Sequence, residues 1–373
     1  MKTRKTQTRK RIRSFLDLHA HFPMHFDPPK TGIEKDDDRN RKLLRLANRL
    51  LNFESPFSGP RVTLRKARSG GLRGLASVLF NPQDEFFNPC KPFKNLLTQA
   101  DCVEKEVAKH KSFVMVRNGK ELSKVLAQDE KIAVFHCVEG AHAIESPSNV
   151  TKLAKRGVAY VVLAHLLYRE IARSVNPFPC LDDKSYERLF CQPQHGLSVL
   201  GKDICEALFC NRILVDITHC HPKAIDDVFQ IADRYPGQPV ITSHTAAYCL
   251  NPALINVNDK IIIRIRDRCG VIGIIFYDHW LKIKGRRLSG ISLLFEHIDH
   301  VAKICGSPER PSFDNIAIGS DLDGFITPVQ GLENLSRARD FAKNLTKKYG
   351  KENAEKILWK NACRVLELGW GTA

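Results

Sequence analysis

The sequence predicts an α/β protein built as a (β/α)8 barrel, a TIM-like fold with insertions after strands 1 and 4. Two observations predict it. Eight short apolar runs alternate with helical patterns along the chain. Side chains suited to metal ligation or acid–base chemistry stand at the far ends of those runs and at none of their starts. A parallel barrel gathers its site at the C-terminal ends of its strands, so the second observation is what the first requires.

The runs are Ser14–His19, Leu75–Phe80, Ile132–Cys137, Ala159–Leu163, Ile213–Thr218, Val240–Ser243, Val271–Tyr277 and Ile316–Ser320. They are rich in Val, Ile and Leu with little alternation, as strands covered on both faces are. Between them the spacing predicts helices over Lys35–Leu51, Lys94–His110, Gly119–Ala127, Val150–Arg156, Leu197–Phe209, Pro222–Arg234, Asn258–Arg268 and Ile291–Cys305. Leu335–Tyr349 and Asn353–Leu368 close the chain. Two long connections break the rhythm, Phe22–Gly74 and Leu166–Gly196, and both leave the site-bearing end of a strand. Such loops wall a pocket and set its selectivity.

Residues 1–13 are read as a basic, flexible arm and 14–373 as one barrel domain. The arm carries much of a net charge of +17. A basic arm can touch nucleic acid or anionic lipid, but no aromatic-interleaved basic motif or helix-turn-helix pattern follows, so a solvated leader is the expectation. No apolar run reaches the ~18–20 residues of a membrane span, and the basic start lacks the apolar stretch of an export signal. The 12 cysteines form no C-x-x-C pair. Most sit in apolar runs (Cys137, Cys205, Cys210, Cys249, Cys305), which suggests reduced, buried thiols in a cytoplasmic protein. No nucleic acid and no membrane anchor are expected as partners.

The strand ends carry His19 and His21, then Glu139, His165, His219, His244 and Asp321. His19 and His21, at i and i+2, are expected to share a face. The set suits two divalent metal ions, zinc before others, bridged by the two oxygens of Glu139. Two ions ~3.5–4 Å apart can share a water and lower its pKa toward ~7. Asp321, in Gly319-Ser320-Asp321-Leu322-Asp323-Gly324, can take that water's proton and pass it to a leaving amine. The other histidines have plainer readings. His221 falls at a helix start, where a capping or surface role is expected; His297 and His300 read as helix packing; His136 and His142 read as partners of the ligands rather than ligands.

These stretches carry a resemblance. Val138-Glu139-Gly140-Ala141-His142-Ala143-Ile144, Val215-Asp216-Ile217-Thr218-His219, Ile241-Thr242-Ser243-His244-Thr245 and Ile318-Gly319-Ser320-Asp321-Leu322-Asp323-Gly324 resemble the metal-binding and catalytic segments of the membrane (renal) dipeptidases, the zinc peptidases of family M19, within the amidohydrolase-type barrels. Gly196-Leu197-Ser198 and Glu333-Asn334-Leu335 extend the likeness almost end to end. The resemblance implies one metal held by His19, His21 and Glu139 and a second held by Glu139, His219 and His244. It implies that His165 steadies the oxyanion, that Asp321 is the acid/base, that Tyr277 lines the substrate pocket and that the chain is a homodimer. The implied activity is hydrolysis of an amide bond in a dipeptide or dipeptide-like molecule.

The chain departs from the family twice. Position 21 is His where the family has Asp, in an Asp-Gly-His-x-Asp pattern, so the site is about one charge more positive. The family arginine that binds the dipeptide carboxylate, just before the Asn matching Asn256, is replaced by Ile255. Its loss implies either a substrate lacking that carboxylate or a cation from elsewhere, Arg264 or Arg266. Rival readings follow: an amidohydrolase acting on a non-peptide amide or lactone, a catalytically impaired metal-binding barrel, and a nucleic-acid or membrane-surface protein using the basic arm.

Overall fold

The computed structural model describes residues 13–25, 60–86 and 91–371. Nine strands form it: β1 (Leu16–Ala20), β2 (Gly74–Leu79), β3 (Phe113–Met115), β4 (Ile132–Glu139), β5 (Val158–Val162), β6 (Leu214–Asp216), β7 (Val240–Thr245), β8 (Ile272–Ile274) and β9 (Ile316–Ile318). Every ladder is parallel, β1 pairs with both β2 and β9, and β2 pairs with β4. The sheet therefore closes on itself through eight strands. β3 is the ninth. It runs beside the first three residues of β4, on the edge that β5 occupies further along.

All eight expected runs are barrel strands, and β3 is an addition. Its three residues pair only with the first three of β4, at the floor of the barrel, too short to register as an apolar run. The helices are α1 (Leu64–Gly70), α2 (Pro82–Phe86), α3 (Pro92–Ala108), α4 (Gly119–Leu126), α5 (Pro147–Arg156), α6 (Asp183–Leu189), α7 (Val199–Cys210), α8 (Pro222–Ala232), α9 (Asp259–Asp267), α10 (Asp278–Leu281), α11 (Ile291–Cys305), α12 (Ala338–Glu355) and α13 (Asn361–Gly369). Their starts follow local chemistry. Asn118, Ser198 and Asn258 each accept a hydrogen bond from the backbone three residues on, and Pro147 and Pro222 sit where a helix needs no N–H. Gly350, at φ 74°, kinks α12 where the sequence placed a gap between two helices. The helix expected over Lys35–Leu51 and most of the first insertion lie outside the described residues. Within the second, α6 is a helix of seven residues. Among the described residues no helix is long and apolar enough to cross a membrane.

One core layer lies between barrel and helices, with Val134, Val161, Ile204, Val228 and Ile262. A second fills the barrel and its floor: Leu18, Val78, Phe135 and Cys137 pack on towards Leu122 of α4 and Leu366 of α13. Arg13, placed at the end of the basic arm, is in fact docked here; it donates to Gln128 O and Lys131 O, each at 2.6 Å. The expected arm therefore ends before Arg13; residues 1–12 lie outside the described residues. Of the thiols, Cys137, Cys205 and Cys305 are buried as expected, whereas Cys210 and Cys249 are exposed. Both fall at the ends of their apolar stretches, where the chain turns to solvent.

His136 corrects another expectation. Phe135 and Cys137 face the barrel interior, so His136 faces out, towards α3. Its Nε2 lies 3.3 Å from Glu104 Oε1, which also accepts from Arg156 Nε at 2.9 Å. His136 first, and Arg156 after it, hold the Glu104 carboxyl down at about 2 against its burial. A depressed carboxyl stabilises the fold above its unfolded pKa, and that stability is lost as pH falls from about 4.5 through about 2. Glu104→Gln is expected to cost about 1–2 kcal/mol at neutral pH, trimmed by screening at a partly exposed side chain, and to flatten the acid limb of stability over that range. Urea melts at pH 7 and pH 3 check it; an equal loss at both would refute the linkage.

Candidate metal centre and active site

The strand ends converge on Glu139, the last residue of β4. Its Oε1 lies 3.2 Å from His19 Nε2 and 3.7 Å from Nε2 of both His219 and His244. Its Oε2 lies 3.2 Å from His21 Nε2 and 3.3 Å from His165 Nε2. His219 Nε2 and His244 Nε2 are 3.1 Å apart. Asp321 Oδ1 closes the group, 3.2 Å from His21 Nε2 and 3.8 Å from His19 Nε2. All seven side chains are buried. Six of the sequence-predicted residues thus meet around one carboxylate. Tyr277 stands one ring away: it packs on Trp280, which lies flat over His244 at 6.1 Å and edge-on to His219.

The histidines converge by more than strand alternation. The β1 register shifts between Asp17 and Ala20, and His21 lies past the strand, its N–H held by Leu322 O at 3.0 Å. Asp17 pins the end of β9, accepting from Ser320 N at 2.9 Å and Ser320 Oγ at 2.6 Å. His19 Nδ1 meets Tyr160 Oη at 3.0 Å and Ser243 Oγ at 3.2 Å, and the same Ser243 Oγ meets His244 Nδ1 at 2.9 Å. Each contact leaves an Nε2 aimed at Glu139. His219 and Asp321 both hold left-handed backbones, φ 65° and 56°, which turn each side chain sharply at its strand end. A Cβ on Gly324 would stand 2.0 Å from Asp321 Oδ1, so only glycine leaves room for that carboxylate. Asp323, two residues on, has a different task. It accepts from Arg61 N and Val62 N and so ties the returning first insertion to the end of β9.

The residues fit a metal. His19 Nε2 and both Glu139 oxygens are buried with no hydrogen bond of good geometry to satisfy them, an expensive arrangement unless a cation sits among them. In a tetrahedral site with bonds of ~2.0–2.1 Å, ligand atoms lie about 3.3 Å apart, and the separations here are 3.1 to 3.8 Å. Three triads have their donor atoms within 4.8 Å: His19, His21 and Glu139; Glu139, His219 and His244; His19, His244 and Asp321. The protonation states agree for most of the set. His21 is the exception: burial is outweighed there by Asp321 and Glu139, which raise the imidazole to about 10, so that a metal there must displace its proton. Burial pushes His219 and His244 well down, leaving neutral imidazoles. Burial alone would raise Glu139, but His165 and His19 outweigh it and hold the carboxyl well below its usual range. Burial raises Asp321 against the pull of His21. His165 is also raised: burial opposes its charge, but Glu139 and Glu85 flank it.

Glu85 escaped the sequence reading. It is fully buried, accepts from Leu167 N at 2.7 Å, and sets its free Oε2 3.5 Å from His165 Nδ1. Its Oε2 is also 3.9 Å from His142 Nε2, which places His142 behind the site as expected. The signal was the bare end of the Leu75–Phe80 run, followed five residues later by Asp84-Glu85. Of the plainer histidines, His221 caps α8 by accepting from Lys223 N, and His297 and His300 bridge to Ala247, Leu281 and Asp259.

The family model for membrane dipeptidases, peptidase family M19, matches residues 15–368. The chain belongs to the membrane dipeptidase family. A dipeptidase, tcpJ of Claviceps purpurea, is 33% identical over 241 residues, 63% of this chain and 51% of that protein. An uncharacterized dipeptidase of Schizosaccharomyces pombe is 26% identical over 288 residues, 75% of this chain and 64% of the other. The chain thus spans between half and two thirds of the length of these relatives. Among solved structures, a dipeptidase of family M19 matches with a TM-score of 0.72 at 20% identity, covering 97% of this chain and all of that one. A metallopeptidase from Rhodobacter sphaeroides, liganded with a phosphinate mimic of L-Ala-D-Ala, gives the same score over 96%. At such identity the structural likeness speaks for the barrel alone; the family rests on the sequence match.

Proposed function

We propose that this chain is a metal-dependent hydrolase that cleaves an amide bond in a dipeptide or dipeptide-like small molecule. The observation that carries the reading is the shared Glu139: one carboxylate stands among five imidazoles, its Oε1 facing His19, His219 and His244 and its Oε2 facing His21 and His165. These residues would hold two divalent ions, zinc by the chemistry of a nitrogen-rich donor set. Bound there, such ions supply Lewis acidity and acidify water enough to give a nucleophile near neutral pH.

The chain's own groups do the rest. His165, flanked by Glu85 and Glu139 and favouring its charged form, donates to the oxygen of the amide carbonyl as negative charge grows on it. Asp321 takes the proton from the attacking water at Oδ1 and delivers it to the leaving nitrogen; its raised pKa suits both halves of that transfer. Phe80 stands edge-on to His165 at 4.7 Å, and Trp280 covers His219 and His244, which excludes bulk water from the centre. Tyr277 borders the substrate through Trp280. The test is hydrolysis of a mixed dipeptide pool, L-L and L-D pairs included, by zinc-loaded protein beside Asp321→Asn.

His21 replaces an anionic ligand with a neutral one. Relative to the wild type, His21→Asp is expected to hold zinc more tightly and to shift the acid limb of the activity profile to higher pH, because a more negative ligand set acidifies water less. Equal metal content and superimposable profiles would sink the idea.

A further inference from the structure

Between the end of β6 and the loop that leaves β7 lies a cleft of about 200 Å³, lined by Ile217, His219, Thr245, Tyr248, Ile255 and Asn256 among others. Ile255 stands here where the family has its arginine, and it is buried. None of the residues lining the cleft is Arg, Lys, Asp or Glu. The substitutes do not reach in. Arg264 pairs with Asp226 and lies over the Phe229 ring at 4.1 Å, on α8; Arg266 pairs with Asp267 and donates to Ile304 O.

Asn256 gives the cleft a polarity. Its Nδ2 donates to Asn251 O at 3.0 Å and Trp280 O at 3.2 Å, and two carbonyl partners fix the orientation of the amide. Its Oδ1 is buried with no hydrogen-bond partner. His219 Nδ1, on the same lining, is buried and unpartnered too. The wall thus offers an unsatisfied amide oxygen, the Nδ1–H that a neutral His219 keeps when its Nε2 faces Glu139, and apolar surface, with no charged side chain. A carboxylate seated there would face the Asn256 oxygen as one acceptor against another and would lose its water without a counter-charge. A carboxamide N–H would satisfy Asn256 Oδ1, and its alkyl neighbours would cover Ile255 and Ile217.

We propose that this cleft takes the amine-side portion of the substrate as an uncharged group, a carboxamide or its N-alkyl equivalent, and rejects a free carboxylate. This rests on the hydrolase reading for its place in the reaction but not for its test. Zinc-loaded protein is given Ala-Leu and its C-terminal carboxamide at equal stereochemistry. The carboxamide is expected to show a kcat/KM at least tenfold higher, with the difference in KM. Ile255→Arg is expected to reverse the order. Preference of the wild type for the free acid would overturn the proposal. The same pair made with a reduced, uncleavable peptide bond is titrated calorimetrically into the wild type, so the answer needs neither turnover nor a folded variant. Tighter binding of the carboxamide supports the cleft assignment even where nothing is hydrolysed, an outcome that would remove the hydrolase reading instead. Equal binding, tighter binding of the acid, or no binding of either compound overturns it.

Discussion

Asp321→Asn is expected to abolish turnover while leaving the metal in place. Among the described residues the carboxylate is the only acidic group besides Glu139 with an oxygen near the Nε2 atoms of His19 and His21, 3.2 Å from His21 Nε2 and 3.8 Å from His19 Nε2. Asparagine keeps its size and can still fill the space that Gly324 leaves. It cannot accept a proton from water or return one to a leaving nitrogen. General acid–base catalysis contributes roughly 10²–10⁴-fold, so kcat for a cleaved dipeptide should fall by about 10³ or more, with zinc content close to wild type. A merely structural Asp321 gives a different pattern: lower zinc content and a lower melting temperature, with activity per bound metal preserved. Metal analysis and kcat on the same preparation separate the two.

The barrel was legible because its strands are buried on both faces and read as apolar runs, and because a parallel barrel puts every strand end on one side. His19, Glu139, His165, His219, His244 and Asp321 could be gathered from the sequence for that reason. What failed has physical causes as well. Glu85 comes from α2, a helix of five residues just past β2 and too short to show a period, yet its Oε2 sits 3.5 Å from His165. His136 was misplaced by proximity to Glu139 along the chain, although parity on β4 puts the two on opposite faces and gives His136 to Glu104. β3 and α1 are too short, at three and seven residues, to show a period. The neutrality of the cleft at Ile255 needed both: resemblance marked the lost arginine, and only packing showed that Arg264 and Arg266 are engaged elsewhere.

Glu139→Gln should remove the metal centre and leave the barrel. The change is isosteric and sits at a strand end whose backbone is held by β5 and β2. It deletes the anionic charge common to two of the three candidate triads. A carboxamide offers one weak oxygen and an N–H₂ group that repels a cation from the other side, so the two imidazole sets lose their shared anionic ligand and only Asp321 remains as a carboxylate beside them. In the wild type, zinc at 100 times its dissociation constant stabilises the fold by about 2.7 kcal/mol per site, because binding selects the native state. That stabilisation appears as a melting temperature that climbs with zinc and falls with chelator. In Glu139→Gln the climb should vanish, and hydrolysis with it, while the metal-free proteins melt cooperatively in both cases. If the variant still gains the full zinc-dependent shift, Glu139 is not the shared ligand, and the buried carboxylate between five imidazoles must be explained by their protonation alone.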